Sequence, residues 1–237
     1  MEAYSNKYNY CIKWNAKSGC TLFRRLFLHL HESELKNPPD NKWHNLGKEF
    51  PYNNNHNNNC YKINLVRNPY KRVVSMFTNK YCGNTKAAVL YDKIHLEKTT
   101  FFHFVKYLLE CRKNNNWCDC HILQQSISYN PNDKIIKLEN FNDDIINAYS
   151  TCELKYLLPE IDVFLKKINN NNEDNPLNIT KKDYENKNFI GLTEFDHNYN
   201  GAWSDYTYFY NDEIAKMVQE IYQEDFDLYN YSKDFNI

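Results

Sequence analysis

The sequence predicts an α/β fold with a central, mainly parallel sheet flanked by helices. Two observations carry this. Short runs rich in β-formers recur at residues 8–14 (YNYCIKW), 61–66 (YKINLV) and 134–138 (KIIKL). Segments with apolar residues at helical spacing alternate with them, which is the pattern of a sheet covered by helices.

The elements follow in order. Residues 8–14 alternate as a strand does, and a short loop runs to Cys20. Residues 21–31 place Leu22, Phe23, Leu26, Phe27 and Leu30 at helical spacing, with Arg24 and Arg25 in the first turn. Residues 36–59 are polar, carry Pro38-Pro39 and an Asn run around His56, and read as a surface excursion. After the strand 61–66, Asn68 suits an N-cap and Pro69 the first helical position. A helix over 70–81 follows, with Val73, Val74, Met76 and Phe77 as core candidates. Further helices are expected over 99–111, 142–149, 160–168 and 211–222. The chain reads as one domain, 1–237, with Asn-rich loops at 53–59 and 169–175 and no internal repeat.

Composition excludes several classes. Hydrophobic residues make up 42% and aromatics 16%, more than a disordered chain carries. Lys plus Arg is 29 against 30 Asp plus Glu, which argues against a broad nucleic-acid surface but leaves room for a local anion site. Asn accounts for 37 residues and receives no functional weight. No run of about 18 apolar residues occurs, so no membrane span is expected. The polar, aromatic start lacks the pattern of a signal peptide, and reduced thiols in a cytoplasmic setting are the expectation. An ectodomain cut from a longer secretory protein would look similar. The tightest of the eight Cys positions, Cys118-Asp119-Cys120-His121, is spaced too closely for a zinc knuckle, so no metal is expected.

Two strand–loop–helix units carry the chemistry. In the first, Lys17-Ser18-Gly19-Cys20-Thr21 precedes a helix. A helix N-terminus offers unpaired N–H groups and partial positive charge. Gly19 permits close approach, Ser18 and Thr21 supply hydroxyls, and Lys17 supplies a full charge. The order Gly-Lys-Ser/Thr of the Walker loop is absent. In the second unit, Arg67 stands at a strand end beside a new helix start, and its fork suits a phosphate. Arg72 and Ser75 share a face of that helix. Either unit alone also reads as an ordinary connection or a capped, solvated helix. Together they suit a ligand with two separate phosphate ends.

These residues resemble the sulfotransferases that use 3'-phosphoadenosine 5'-phosphosulfate (PAPS), in particular the carbohydrate sulfotransferases of the chondroitin and HNK-1 type and their viral and microbial relatives. Residues 17–21 match the family's KxxxT loop for the 5'-phosphosulfate. Residues 67–75 match its RxPxxRxxS segment for the 3'-phosphate. Residues 121–126 (HILQQS), 137–141 (KLENF) and 221–231 resemble later segments, in the family's order. Where the family often carries Pro before the first Lys, Ala16 stands.

The resemblance implies a P-loop-like three-layer fold and transfer of a sulfuryl group from PAPS to a hydroxyl on a glycan or other acceptor. It implies that Lys17 stabilises charge on the bridging oxygen and that Ser18, Gly19, Cys20, Thr21 and Arg24 surround the 5' end. Arg67 and Ser75 would hold the 3'-phosphate. The base is sought between the two motifs, where His44 ranks first and Glu49 second, with His121 as a competitor. Trp203 and Tyr206 are candidates for ring stacking, and His197-Asn198 for a loop over the cofactor. A nucleotide kinase or other phosphoryl transferase, and a non-catalytic anion-binding module, are the alternatives.

Overall fold

A computed structural model describes residues 1–31, 50, 60–82, 98–117, 119–150, 153–170, 189–196 and 205–235. In chain order the main elements are β1 (Glu2–Ser5), β2 (Tyr10–Trp14), α1 (Cys20–Leu30), β3 (Tyr61–Val66), α2 (Pro69–Met76), β4 (Lys98–Thr99) and α3 (Phe101–Lys113). They continue as β5 (Lys134–Lys137), α4 (Phe141–Ser150), α5 (Leu158–Asn170), β6 (Phe195–Asp196), α6 (Asp212–Ile221) and α7 (Gln223–Leu228). The chain forms two compact units, each built from two stretches: Met1–Arg67 with Ser128–Thr180, and Asn68–Ile127 with Lys181–Ile237.

The first unit is α/β. Its sheet has the order β1-β2-β3-β5, with β2, β3 and β5 parallel. Strand alternation turns Tyr10, Ile12 and Trp14, Ile63 and Leu65, and Ile136 toward one apolar core. That core is closed by Phe23 and Phe27 of α1, Phe141 and Ile145 of α4, and Ile161 and Phe164 of α5. The mainly parallel sheet flanked by helices is the class the sequence predicts. The antiparallel edge strand β1, with Glu2 opposite Lys13 and Ser5 opposite Tyr10, was not foreseen. Four residues are too few to show a period, and pairing with β2 specifies them. Helix α5 starts two residues before the expected point because Pro159 fits a first turn, where no intrahelical N–H is needed. Asn169 and Asn170 end that helix, and 171–175 lie outside the described residues, as do 53–59.

The second unit packs α2, α3, α6 and α7 around an aromatic core that includes Phe77, Phe101, Phe104, Phe209 and Tyr222. The two-residue strands β4 and β6 pair antiparallel beside it. Asn68 caps α2 as expected, accepting from the N–H groups of Tyr70 (3.0 Å) and Lys71 (3.3 Å), with Pro69 in the first turn. The helix expected over 70–81 is α-helical only to Met76, and Phe77–Tyr81 widens into a π-turn. The wider turn seats Phe77 and Tyr81 in the core together, with ring centroids 5.6 Å apart and planes at 4°. Such an extra residue leaves no trace in apolar spacing.

Candidate active site

In the first unit, Trp14 lies opposite Leu65 and Val66 opposite Lys137, so the C-terminal ends of β2, β3 and β5 share one sheet edge. Parallel α/β sheets bind ligands at that edge. Three segments leave it here: the loop 15–19, Arg67, and Leu138.

The loop is shaped by backbone conformation. The Ser18 N–H donates to the Asn15 carbonyl at 3.2 Å and closes a turn. Lys17 (φ 67°) and Gly19 (φ 85°) are left-handed with Ser18 between them. Alternating hand aims successive amides into a concavity suited to an anion. Helix α1 then starts without a side-chain cap and without an acidic residue in its first turn. Phe23 is the first residue whose N–H reaches back, to the Gly19 carbonyl at 3.2 Å. The amides of Cys20, Thr21 and Leu22 therefore have no acceptor within the helix. Thr21 is exposed, Lys17 and Cys20 are half-buried, and Ser18 is buried.

Arg67 completes this edge. Its Nη1 donates to the Lys17 carbonyl at 3.1 Å, so the arginine of one motif braces the left-handed lysine of the other. Behind the loop, Asn15 Nδ2 donates to Ser128 Oγ at 3.0 Å and Lys13 pairs with Asp133 at 2.9 Å. Arg24 is buried, with its guanidinium 5.0 Å from the Trp14 ring centre and Nη2 3.9 Å from Met1 Sδ.

Gly19 is held by two constraints at once. Its φ favours glycine, and a Cβ there would lie 2.5 Å from Leu138 Cδ1. Gly19→Ala is expected to destabilise the protein by about 1–3 kcal/mol, since left-handed backbone alone costs an L-residue roughly 1–2 kcal/mol. Chemical denaturation measures this. Leu138→Ala in the same chain should relieve only the contact and leave the backbone cost.

In the second unit, α2 carries a half-buried Ser75 and a buried Arg72. Arg72 Nη2 donates to the carbonyls of His121 (3.1 Å) and Leu123 (2.7 Å). Its Nη1 lies 3.9 Å from Asp225, which accepts from the backbone N–H groups of Gln125 (3.0 Å) and Ser126 (2.7 Å). Burial pushes the Asp225 carboxyl above the usual carboxylate range, opposed by Arg72 and those amides. The sequence places Arg72 on one helix face with Ser75, with a solvated helix as the alternative reading; the structure buries Arg72 as the anchor of residues 121–126.

His121 sits on that anchored segment, partly exposed. Its Nδ1 is 2.5 Å from Asp119 Oδ1, which also accepts from the His121 backbone N–H at 2.7 Å. Cys120 Sγ is 3.8 Å from Nδ1, and the Asp119, Cys120 and His121 donor atoms all fall within 4.8 Å of one another. The carboxylate–imidazole hydrogen bond accounts for that approach. Burial, then Asp119, raises the Cys120 thiol above its ordinary value.

The structure thus brings Lys17, Ser18, Gly19, Cys20, Thr21 and Arg67 to one sheet edge of the first unit, and places Ser75 and His121 in the second. His44, Glu49, His56, Trp203, His197 and Asn198 lie outside the described residues. Tyr206 is half-buried with Lys71 Nζ 5.2 Å from its ring centre. His31 is buried against Tyr10, 2.9 Å from its hydroxyl, and His29 meets the Glu160 carbonyl at 3.2 Å, consistent with structural histidines. Sequence reasoning missed Asp119 and Asp225. The Asp-x-His spacing was the available signal for the first; a contact between residues about 100 apart left none for the second. Burial pushes the Cys11 thiol up to about 12, which keeps it protonated and unreactive.

A left-handed loop and an open helix start, with a lysine and an arginine at the C-terminal edge of a parallel sheet, define an α/β protein with a candidate anion site at that edge. The family model of the sulfotransferases matches residues 15–232, from the loop after β2 to beyond α7, and the chain belongs to the sulfotransferase family. No match is found among the curated proteins or the solved structures. No helix among the described residues is long and apolar enough to cross a membrane.

Proposed function

We propose that this protein transfers a sulfuryl group from PAPS to a hydroxyl of an acceptor, in the first instance a carbohydrate. The observation that carries the reading is the hydrogen bond from Arg67 to the Lys17 carbonyl. It joins the two motifs that the resemblance assigns to the two phosphate ends of one cofactor. Family membership supports the sulfuryl chemistry. The span of the family match over both units supports a single catalytic domain.

In this reading the amides of residues 19–22 and the Thr21 hydroxyl hold the 5'-phosphosulfate. Arg67 and Ser75 hold the 3'-phosphate, which positions the donor without entering the chemistry. The acceptor oxygen attacks sulfur as its proton passes to a base. The bond from sulfur to the bridging oxygen breaks, and adenosine 3',5'-bisphosphate leaves with that oxygen. Lys17 neutralises the charge that builds there. Among the described residues His121 takes the role of base, oriented by Asp119. His44 and Glu49 remain the competing assignments.

Thermal denaturation tests the cofactor. Adenosine 3',5'-bisphosphate at about 100 times its Kd is expected to stabilise the protein by about 2.7 kcal/mol, and ATP with Mg²⁺ much less. Equal stabilisation by both would favour a phosphoryl transferase. Transfer of labelled sulfate from PAPS to a panel of glycans, peptides and small phenols then identifies the acceptor. Cofactor binding with no transfer to any member would favour a non-catalytic anion-binding module.

A further inference from the structure

We infer that Asp119 is a positioning residue that fixes the tautomer and ring orientation of His121, so that Nε2 is the proton-accepting nitrogen. The inference rests on the reading of His121 as the base. Its structural content stands on the carboxylate itself. An ionised carboxylate only accepts hydrogen bonds, so at 2.5 Å the His121 Nδ1 must donate to Asp119 Oδ1. A neutral imidazole protonated on Nδ1 carries its lone pair on Nε2.

The same Asp119 oxygen accepts from the His121 backbone N–H at 2.7 Å, which holds the carboxylate in place two residues away along the chain. The backbone is fixed independently. Arg72, buried in α2, donates to the carbonyls of His121 and Leu123. Ring and main chain of His121 are therefore pinned by two different residues. Cys120 cannot substitute for Asp119, because its thiol is a weak partner at 3.8 Å. In the transfer step the acceptor hydroxyl loses its proton to Nε2, the ring becomes an imidazolium, and the Asp119 carboxylate offsets the new charge without taking the proton.

The test uses the full chain labelled with ¹⁵N at histidine. At a pH where His121 is neutral, the nitrogen shifts are expected to show the Nδ1–H form, assigned by loss of the signal in His121→Ala. Asp119→Ala should shift His121 toward the Nε2–H form that free imidazole side chains favour. Its kcat should fall about 10- to 100-fold with KM for PAPS unchanged, a part of the 10²–10⁴ that a positioned base contributes. Asp119→Asn, which keeps an oxygen for both N–H groups, should restore much of the Nδ1–H signature. An Nε2–H form in the unaltered protein overturns the inference, even where Asp119→Ala fails to fold. So does an unchanged tautomer in Asp119→Ala. Full turnover by His121→Ala would remove His121 as the base while the tautomer results still decide what Asp119 does to the ring.

Discussion

Replacing Lys17 with glycine is expected to cut turnover by about 10²–10³-fold while making the folded protein up to about 1 kcal/mol more stable. The two halves of this result have separate causes. Lys17 adopts φ 67°, a left-handed backbone that costs an L-residue roughly 1–2 kcal/mol and glycine little. Glycine returns part of that gain through the larger entropy of its unfolded chain. The strain is maintained by the surroundings: Arg67 holds the Lys17 carbonyl at 3.1 Å, and the Ser18 N–H closes the turn onto Asn15. Strained backbone of this kind persists where function requires a side chain in a conformation that favours glycine. The loss of turnover follows from removing the cation that meets charge on the bridging oxygen. Binding of adenosine 3',5'-bisphosphate should weaken far less, because the helix amides and Arg67 remain. Lys17→Ala separates the effects further, since it removes the charge and keeps the strain. An Lys17→Gly enzyme with ordinary kcat in a sulfate-transfer assay would end the proposed role. A Tm below that of Lys17→Ala would show that the left-handed backbone is not the source of the stability difference.

Strand β3 and the loop that forms the first candidate site were legible because both are local. Strand 61–66 matches β3 to the residue, and Asn68-Pro69 gives the start of α2 through capping chemistry alone. The loop 17–19 and the start of α1 are likewise set by neighbours in sequence. The register that lets Arg67 reach the Lys17 carbonyl spans 50 residues and follows from parallel pairing, which a single strand does not reveal. The same limit hid Arg72. Its spacing from Ser75 put it on one face of a helix, but nothing local says that the face meets two carbonyls and a carboxylate. Edge strand β1 and the π-turn after Met76 were missed because four or five residues carry too little periodicity to be read.

Arg72→Met is expected to destabilise the protein by about 3–5 kcal/mol at neutral pH, the usual cost of leaving a buried charge without its partner. The guanidinium is 1% exposed and the Asp225 side chain 0%, so solvent cannot replace either partner. Methionine fills much of the volume, which confines the loss to polar terms: two hydrogen bonds to the carbonyls of His121 and Leu123, and the attraction 3.9 Å away at Asp225. The pair is not a simple stabiliser even when intact. The Asp225 carboxyl lies above the ordinary carboxylate value, so burial outweighs Arg72 and the amide donors together. A raised folded-state pKa means that the folded protein binds the proton more tightly than the unfolded chain. The ionised form therefore costs stability as pH rises through that pKa, and the cost disappears below the unfolded value. Removing Arg72 takes away an opposing charge and raises the carboxyl further. The deficit of Arg72→Met relative to the unaltered protein should accordingly narrow as pH falls below neutrality, as the carboxyl takes up its proton. Adding Asp225→Asn should recover part of the loss at neutral pH, because no charge then remains buried, although only one of the Gln125 and Ser126 amides, which donate to different oxygens, keeps an acceptor. Denaturant titrations of the two single variants and the double variant across that pH range give the coupling directly. A deficit independent of pH, with no recovery in the double variant, would assign the whole cost to the lost carbonyl contacts and make Arg72 a clamp on the His121 segment without electrostatic coupling to Asp225.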